Sequence, residues 1–314
     1  MRILFITSKF HKTRIYREAN ALTTFGLKKE LEKLGHKVDV LQTNKLFNKV
    51  KKKYDVIHSF SASPLRVLQN LLIRQNALRF HTLKSISSKY DKGYFLLKFV
   101  HKVVVPLHSM ARGRNYSVIN INIDTKKFKP VNLKKYKRPT IIYYGALHPQ
   151  RGVDNLIYAM AMLSSVDLIM IPRYNKLTEL SKDARQLIKL CKNIKLLKST
   201  EGNKLPYYIN KCHLACFPYV ELTDVALPPC VIPETWACKV PIITTNLPEL
   251  KEVGAGCCIF AEPHELIKKI KYGLKYKHKK MVQKAYEKSK QFDNRKVALR
   301  YHNLYGTLLV KKAV

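Results

Sequence analysis

Short apolar runs and helical stripes alternate along almost the whole of this chain, and that alternation restricts its fold more than any single motif does. Residues 2–7, "RILFIT", make a short buried strand, after which Leu27, Leu31 and Leu34 repeat at helical spacing up to Gly35, a favourable stop residue. "HKVDVL" reads as the second strand. The pattern recurs through "YDVIHSF", a helix carrying Leu65, Leu68 and Leu72, "ALRFHT", an aromatic helix with Tyr90, Tyr94 and Leu97, and "KVVVPL". Strands alternating with helices predict a parallel sheet and an α/β fold. The segment "IDTKKFKPVNLKKYKRP" breaks the rhythm: it is basic, punctuated by proline and aperiodic, the composition of a connection. Alternation resumes with "TIIYYG", a helix through Leu156 and Met160, "VDLIMI", a helix through Leu187, "IKLLK", a helix beginning near Leu205, "LACFPY", a helix around Glu234, and "VPIITT". The expectation is two doubly wound, Rossmann-like domains, residues 1–130 and 131–296. A final helix over 297–314 carries Val297, Tyr301, Leu304, Tyr305 and Leu308 on a stripe that must bury. Two such domains in succession predict a cleft, with ligands at the carboxyl ends of strands.

The 314 residues suffice for two hydrophobic cores, and a hydrophobic content of 46% excludes a disordered chain. No apolar run reaches the roughly 18 to 20 residues of a spanning helix. "MRILFITSKF" reads as a first strand rather than a signal peptide, so a cytoplasmic protein, soluble or peripheral on the membrane, is expected. Seven cysteines, all from Cys191 to Cys258, lack paired C-x-x-C spacing and read as reduced core residues, neither a disulfide framework nor a zinc site. The net charge is +38, with 59 Lys and Arg against 21 Asp and Glu. Such a field attracts nucleic acid, anionic lipid or phosphorylated small molecules.

The residues just after the strands are where such sheets place chemistry, and four places carry suitable groups. In "YYGALHPQRGVDNLI", Gly145 closes a strand and Arg151 with Gly152 precedes a helix, an arrangement suited to a diphosphate through guanidinium and backbone N–H groups, or equally a solvated turn. Glu234 follows "PPCVIP" in the first turns of a helix, where the dipole favours a carboxylate and where a ribose diol could be held. Pro228, Pro229 and Pro233 donate nothing, which leaves Cys230, Val231 and Ile232 as the backbone donors near that helix start. His81 and His58 each end a strand of the first domain, and imidazole can donate to a hydroxyl or a developing charge, or simply hold structure. Lys9, Lys12, Arg14 and Arg17 crowd the loop after the first strand, as a phosphate or acceptor contact or as a solvated basic loop. No G-x-x-x-x-G-K-[ST] loop, G-x-G-x-x-G, D-x-D, H-E-x-x-H or G-x-S-x-G occurs, so no metal or cofactor site is expected.

Taken in order, these segments resemble the GT-B-fold glycosyltransferases of family 4. "LKKELEKLGHKVDVL" is similar to that family's first helix and second strand. "SVININIDTKKFKP" is similar to its linker, with Asn122 where Gly is usual, an exchange that the left-handed tolerance of Asn would permit. "YYGALHPQRGVDNLIYAM" resembles the first turn of the nucleotide-binding domain, "ALPPCVIPETWACKVPIITTNLPELKEV" the region of a paired-Glu signature, and "PHELIKKIKYGL" and "YHNLYGTLL" the closing helices. The resemblance implies a GT-B architecture whose last helix crosses back onto the first domain. It also implies metal-independent, retaining sugar transfer from a nucleotide-diphosphate donor, held mainly by the C-terminal domain, to an acceptor on the N-terminal one. By position, Glu234 holds the ribose hydroxyls, Arg151 stands for a Lys that neutralises the diphosphate, and His81 matches a histidine near the transferred sugar.

Four departures stand out. Ala226 replaces the first Glu of the signature, Ala146 a common Arg, Lys239 the Gly after the helix, and the first loop has no Gly-Gly pair. Glu221 and Asp224 are the nearby carboxylates that could compensate for Ala226. "KGYFLLKFVHK" interleaves basic and aromatic residues on an amphipathic stretch suited to a membrane interface or to core packing. The expected partners are thus a nucleotide sugar, a lipid-linked or glycan acceptor and an anionic membrane surface. Transfer to DNA or another polyanion, and a catalytically silent binding protein, are the alternatives. The run Lys268 to Lys290 alternates with Ile270, Tyr272, Leu274 and Tyr286 and reads chiefly as a solvated face.

Overall fold

The computed structural model describes residues 1–8, 19–61, 63–85, 88–174, 177–199, 204–223, 225–276 and 278–313. In the first unit, β1 (Arg2–Thr7), α1 (Ala19–Lys33), β2 (Lys37–Gln42), β3 (Val56–Phe60), α2 (Pro64–Leu72), β4 (Leu78–Thr82), β5 (Lys102–Val105) and β6 (Tyr116–Val118) follow one another. They form a six-stranded parallel sheet of order β2-β1-β3-β4-β5-β6. The second unit holds β7 (Thr140–Gly145), α3 (Val153–Ala161), β8 (Asp167–Pro172), α4 (Lys182–Leu190), β9 (Ile194–Leu196), α5 (Leu205–Lys211), β10 (Leu214–Phe217), α6 (Val231–Ala237), β11 (Ile242–Thr245), α7 (Pro248–Gly254), β12 (Ile259–Ala261), α8 (Leu266–Lys275) and α9 (Lys279–Ser289). Its sheet is also parallel and six-stranded, in the order β12-β11-β10-β7-β8-β9. The last helix, α10 (Asn294–Ala313), belongs to the first unit.

The units comprise Met1–Ile123, Thr223–Pro228 and Gln291–Val314 on one side, and Asp124–Leu222 and Pro229–Lys290 on the other. The division falls at Asp124 rather than at residue 131. The start of the connection is tied into the second unit: Val131 donates to Asn210 Oδ1 at 2.9 Å, Asn210 Nδ2 donates to the Lys129 carbonyl at 3.0 Å, and Tyr136 donates to the Lys211 carbonyl at 3.1 Å.

Strand alternation sorts the first core into two faces. Ile3 and Phe5 join Leu27, Leu31, Phe80, Val297, Tyr301 and Tyr305, whereas Leu4 and Ile6 join Tyr54, Ile57 and Ile73 on the other side of the sheet. The stripe on α10 is therefore a core element, and burying Tyr305 or Phe80 contributes about 2–3 kcal/mol each. Two local readings are corrected. On α2 the buried side chains are Arg66, Val67, Gln69 and Asn70, while Leu65 and Leu72 are exposed. Polar groups win that face because they have partners: Arg66 reaches Asn44 and Gln69, and Asn70 donates to the Phe80 carbonyl at 2.7 Å. Asn122 does not adopt the left-handed conformation; its amide donates to the Thr23 carbonyl at 2.9 Å and to Asn294 Oδ1 at 2.7 Å. Lys239, by contrast, has φ +56° where the resemblance places Gly. The aromatic stretch forms a 3-10 helix over Ser88–Phe99 that buries Leu97 and leaves Phe95 and Phe99 exposed. The cysteines are free thiols, five of them buried.

Candidate functional site

In the second unit the order of strands reverses at β7, with β8 on one flank and β10 on the other. The carboxyl ends of β7 and β10 thus border a topological switch point. After β7 the chain passes through Gly145 and a one-turn 3-10 helix, Pro149–Arg151, to Gly152, which has φ +64° and starts α3. A β-carbon on Gly152 would lie 1.8 Å from the Pro218 carbonyl oxygen, so glycine is what allows the segments following β7 and β10 to touch. The contact continues where Val220 donates to the Gln150 carbonyl at 2.9 Å and Gln150 Nε2 donates to the Glu221 carboxylate. The Arg151 guanidinium lies 5.3 Å from the centre of the buried Tyr219 ring.

Two amides of this turn are already used. Arg151 N–H donates to the His148 carbonyl at 2.8 Å and Gly152 N–H to the Pro149 carbonyl at 2.9 Å. Arg151 therefore offers an anion its guanidinium, and Gly152 serves by its shape rather than as a donor. Gly145 closes β7, and its carbonyl accepts from Arg173 N–H at 2.7 Å. At the start of α6, Ile232 N–H donates to the Pro229 carbonyl at 3.0 Å, which removes it from the expected donors; Cys230 and Val231 stand at the N-terminal end of the helix.

Glu234 is partly accessible in the first turn of α6, between the buried Pro233 and Thr235. Beside it the Tyr144 hydroxyl is 2.9 Å from the Val231 carbonyl and 2.8 Å from Thr235 Oγ1. Burial raises the Glu234 carboxyl to about 7, against the opposing pull of Lys127, Arg173 and the Tyr144 hydroxyl. Lys127 is itself lowered by burial and pulled back up by Glu234 and Asp124. A carboxylate with two cations in reach and a phenol beside it can accept hydrogen bonds from a diol while phosphate is drawn to the neighbouring positive charge.

In the first unit the two histidines are structural. His58 has no solvent exposure; its ring nitrogens meet Tyr305 Oη and, at 2.7 Å, Thr82 Oγ1, and its ring stacks on Phe60. It cannot contact a phosphate or acceptor. His81 is 1% exposed, with Nδ1 2.8 Å from Ser59 Oγ and Nε2 donating to the Ser61 carbonyl at 2.9 Å. Both of its ring nitrogens thus have protein partners. Lys9, Lys12, Arg14, Arg17 and Asp224 lie outside the described residues. Ala226 belongs to the first-unit segment Thr223–Pro228, whose Leu227 N–H donates to the Lys84 carbonyl at 2.8 Å.

Sequence reasoning missed Lys127, Arg173 and Tyr144. Arg173 directly follows β8 and was within reach of the strand-end rule. Lys127 sits in a connection rich in lysines, and Tyr144 in an apolar run, so neither carried a distinguishing signal. Among the described residues no group of three or more His, Cys, Asp or Glu could hold a metal ion, and no helix is long and apolar enough to cross a membrane.

Residues 138–275 match the family model of the glycosyl transferases group 1. No curated protein matches the sequence. Among solved structures, a sucrose-phosphate synthase from Thermosynechococcus elongatus is similar with a TM-score of 0.78 at 16% identity, covering 99% of each chain. A glycosyltransferase from Rickettsia africae gives 0.77 at 17% identity, covering 98% of each. HepE from Anabaena, in complex with UDP and glucose, gives 0.76 at 16% identity, covering 97% of this chain and 99% of that one. The fold is that of the GT-B glycosyltransferases. Glu234, Arg151 and Arg173 all fall within the stretch that matches the group 1 model.

Proposed function

We propose that the protein transfers a sugar from a nucleoside-diphosphate sugar to a membrane-borne acceptor, lipid-linked or polysaccharide, with retention and without a metal. The observation that carries this reading is the carboxylate of Glu234, held beside Lys127, Arg173 and Tyr144 in a unit that also presents Arg151 at its switch point. The HepE complex, which holds UDP and glucose on the same fold, supports the choice of donor. In this reading Glu234 accepts hydrogen bonds from the ribose hydroxyls. Arg151 stabilises the negative charge that develops on the diphosphate as the glycosidic bond breaks. His81, engaged at both nitrogens, is given no chemical step.

Membrane association at the cytoplasmic face rests on the positive charge of the chain and on exposed Phe95 and Phe99, which flank the exposed Lys98. A panel of nucleotide sugars, assayed for release of nucleoside diphosphate with and without an acceptor-bearing membrane extract, tests the function. Turnover with one donor, lost in Glu234→Ala and Arg151→Ala, is the expected result; equal kinetics in both variants would overturn the site.

A catalytically silent binding protein is the second reading, favoured by Ala226, Ala146 and the engaged His81. It predicts nucleotide binding without release of diphosphate from any donor.

A further inference from the structure

The turn after β7 brings one guanidinium to the switch point, yet two phosphoryl groups present more acceptor oxygens than a single fork can satisfy. Ala146, in the same turn, adds no charge. A second guanidinium is supplied by Arg173, the first residue after β8. Its backbone is anchored where the site is built: its N–H donates to the Gly145 carbonyl at 2.7 Å, and the preceding Pro172 is in register with Gly145 on the β7–β8 ladder. Its own carbonyl accepts from Ser199 Oγ at 3.0 Å, which fixes the turn from the other side. The side chain is partly exposed and lies within electrostatic reach of Tyr143, Tyr219 and Glu234. The Arg151 guanidinium lies over Tyr219, and the Arg173 backbone is bonded to the end of the strand that leads into the Arg151 turn. Among the described residues no carboxylate forms an ion pair with either.

We propose that Arg173 is a diphosphate-binding residue of the donor site, acting with Arg151 from the neighbouring strand end and supplying the positive charge that the β7 turn itself lacks. The inference rests on the nucleotide-sugar reading given above and names its second phosphate contact. Glu234, whose carboxyl feels the charge of Arg173, would take the ribose while the guanidiniums take the phosphates.

The test is calorimetric titration of the intact protein and of Arg173→Gln and Arg173→Lys. The probes are UDP, GDP and ADP, each beside its monophosphate and its free nucleoside, with thermal unfolding of each variant recorded in parallel. Arg173→Gln should lower affinity for the preferred diphosphate about 10- to 100-fold, as loss of a charge-assisted contact does. It should leave nucleoside affinity unchanged, and Arg173→Lys should fall between. Unchanged diphosphate affinity in Arg173→Gln, or an equal loss for nucleoside and diphosphate, would overturn the proposal while leaving the donor site in place. If the unaltered protein binds none of the diphosphates, the nucleotide-sugar reading itself fails, and this inference with it.

Discussion

Gly152 and the Pro218 carbonyl stand in a contact that only glycine permits: a β-carbon would sit 1.8 Å from that oxygen, on a backbone already at φ +64°. Gly152→Ala should therefore destabilise the second unit by about 2 kcal/mol or more. It should also weaken nucleotide binding, because Arg151 and Tyr219 are the residues that flank the contact. Chemical denaturation with titration of UDP measures both.

Glu234 gives the second unit an unusual pH dependence. Its folded value, about 7, lies above the ordinary 4.5, so the folded state holds a proton that the unfolded chain has released. Stability contributed by this group is fully present below about pH 4.5 and is lost between there and about 7, by at most about 3 kcal/mol and less where solvent reaches the carboxylate. Donor affinity should run the other way, strengthening from pH 6 to 8 as the carboxylate ionises. Glu234→Gln should flatten both profiles, which denaturation and calorimetry across that range would show.

The first unit should respond to acid with the opposite sign. Burial lowers His81 to about 4 and lowers His58 as well, so both stay neutral in the fold while the unfolded chain protonates near 6.5. Their contribution is intact above 6.5 and is lost as pH falls from there toward 4. Nitrogen NMR at pH 6 should find His81 as the Nε2–H tautomer, because Nε2 faces the Ser61 carbonyl. A doubly protonated ring would contradict this.

His58→Phe should cost about 1–3 kcal/mol, since it strands the Tyr305 hydroxyl inside the core and leaves the Thr82 hydroxyl with Tyr301 alone. Chemical denaturation measures the loss, and a change below about 0.5 kcal/mol would contradict it.

Phe95 and Phe99 are 57% and 62% exposed, so replacing both with Ser should leave the melting temperature nearly unchanged. Sedimentation with anionic vesicles at moderate salt should drop in that variant. Equal sedimentation of variant and parent would end the membrane role of this surface.

The parallel α/β architecture was legible because short apolar strands and 3.6-residue helical stripes leave different traces, and both sheets repeat them. Of the three-residue strands, β9 was legible in "IKLLK", whereas β6 and β12 were not read. The α2 face misled because Leu65 and Leu72 have the right spacing, whereas the groups that bury are Arg66, Gln69 and Asn70, whose partners come from distant segments. At the site, Glu234 and Arg151 were visible as charges after strands. The engagement of His81 was not, because Ser59 and Ser61 are its partners only once β3 and β4 are in register. The same holds for Lys127, one lysine in a basic connection until the fold brings it to Glu234.

Tyr301 and Tyr305 of α10 complete the core that Phe5 and Phe80 begin. During synthesis that core cannot close until α10 has been made, after every strand of the second sheet. The second unit should thus be the first to fold during synthesis, with the opening strands held waiting, their apolar faces bare. A chaperone that shields "RILFIT" and "YDVIHSF" during that interval would raise the yield of native protein.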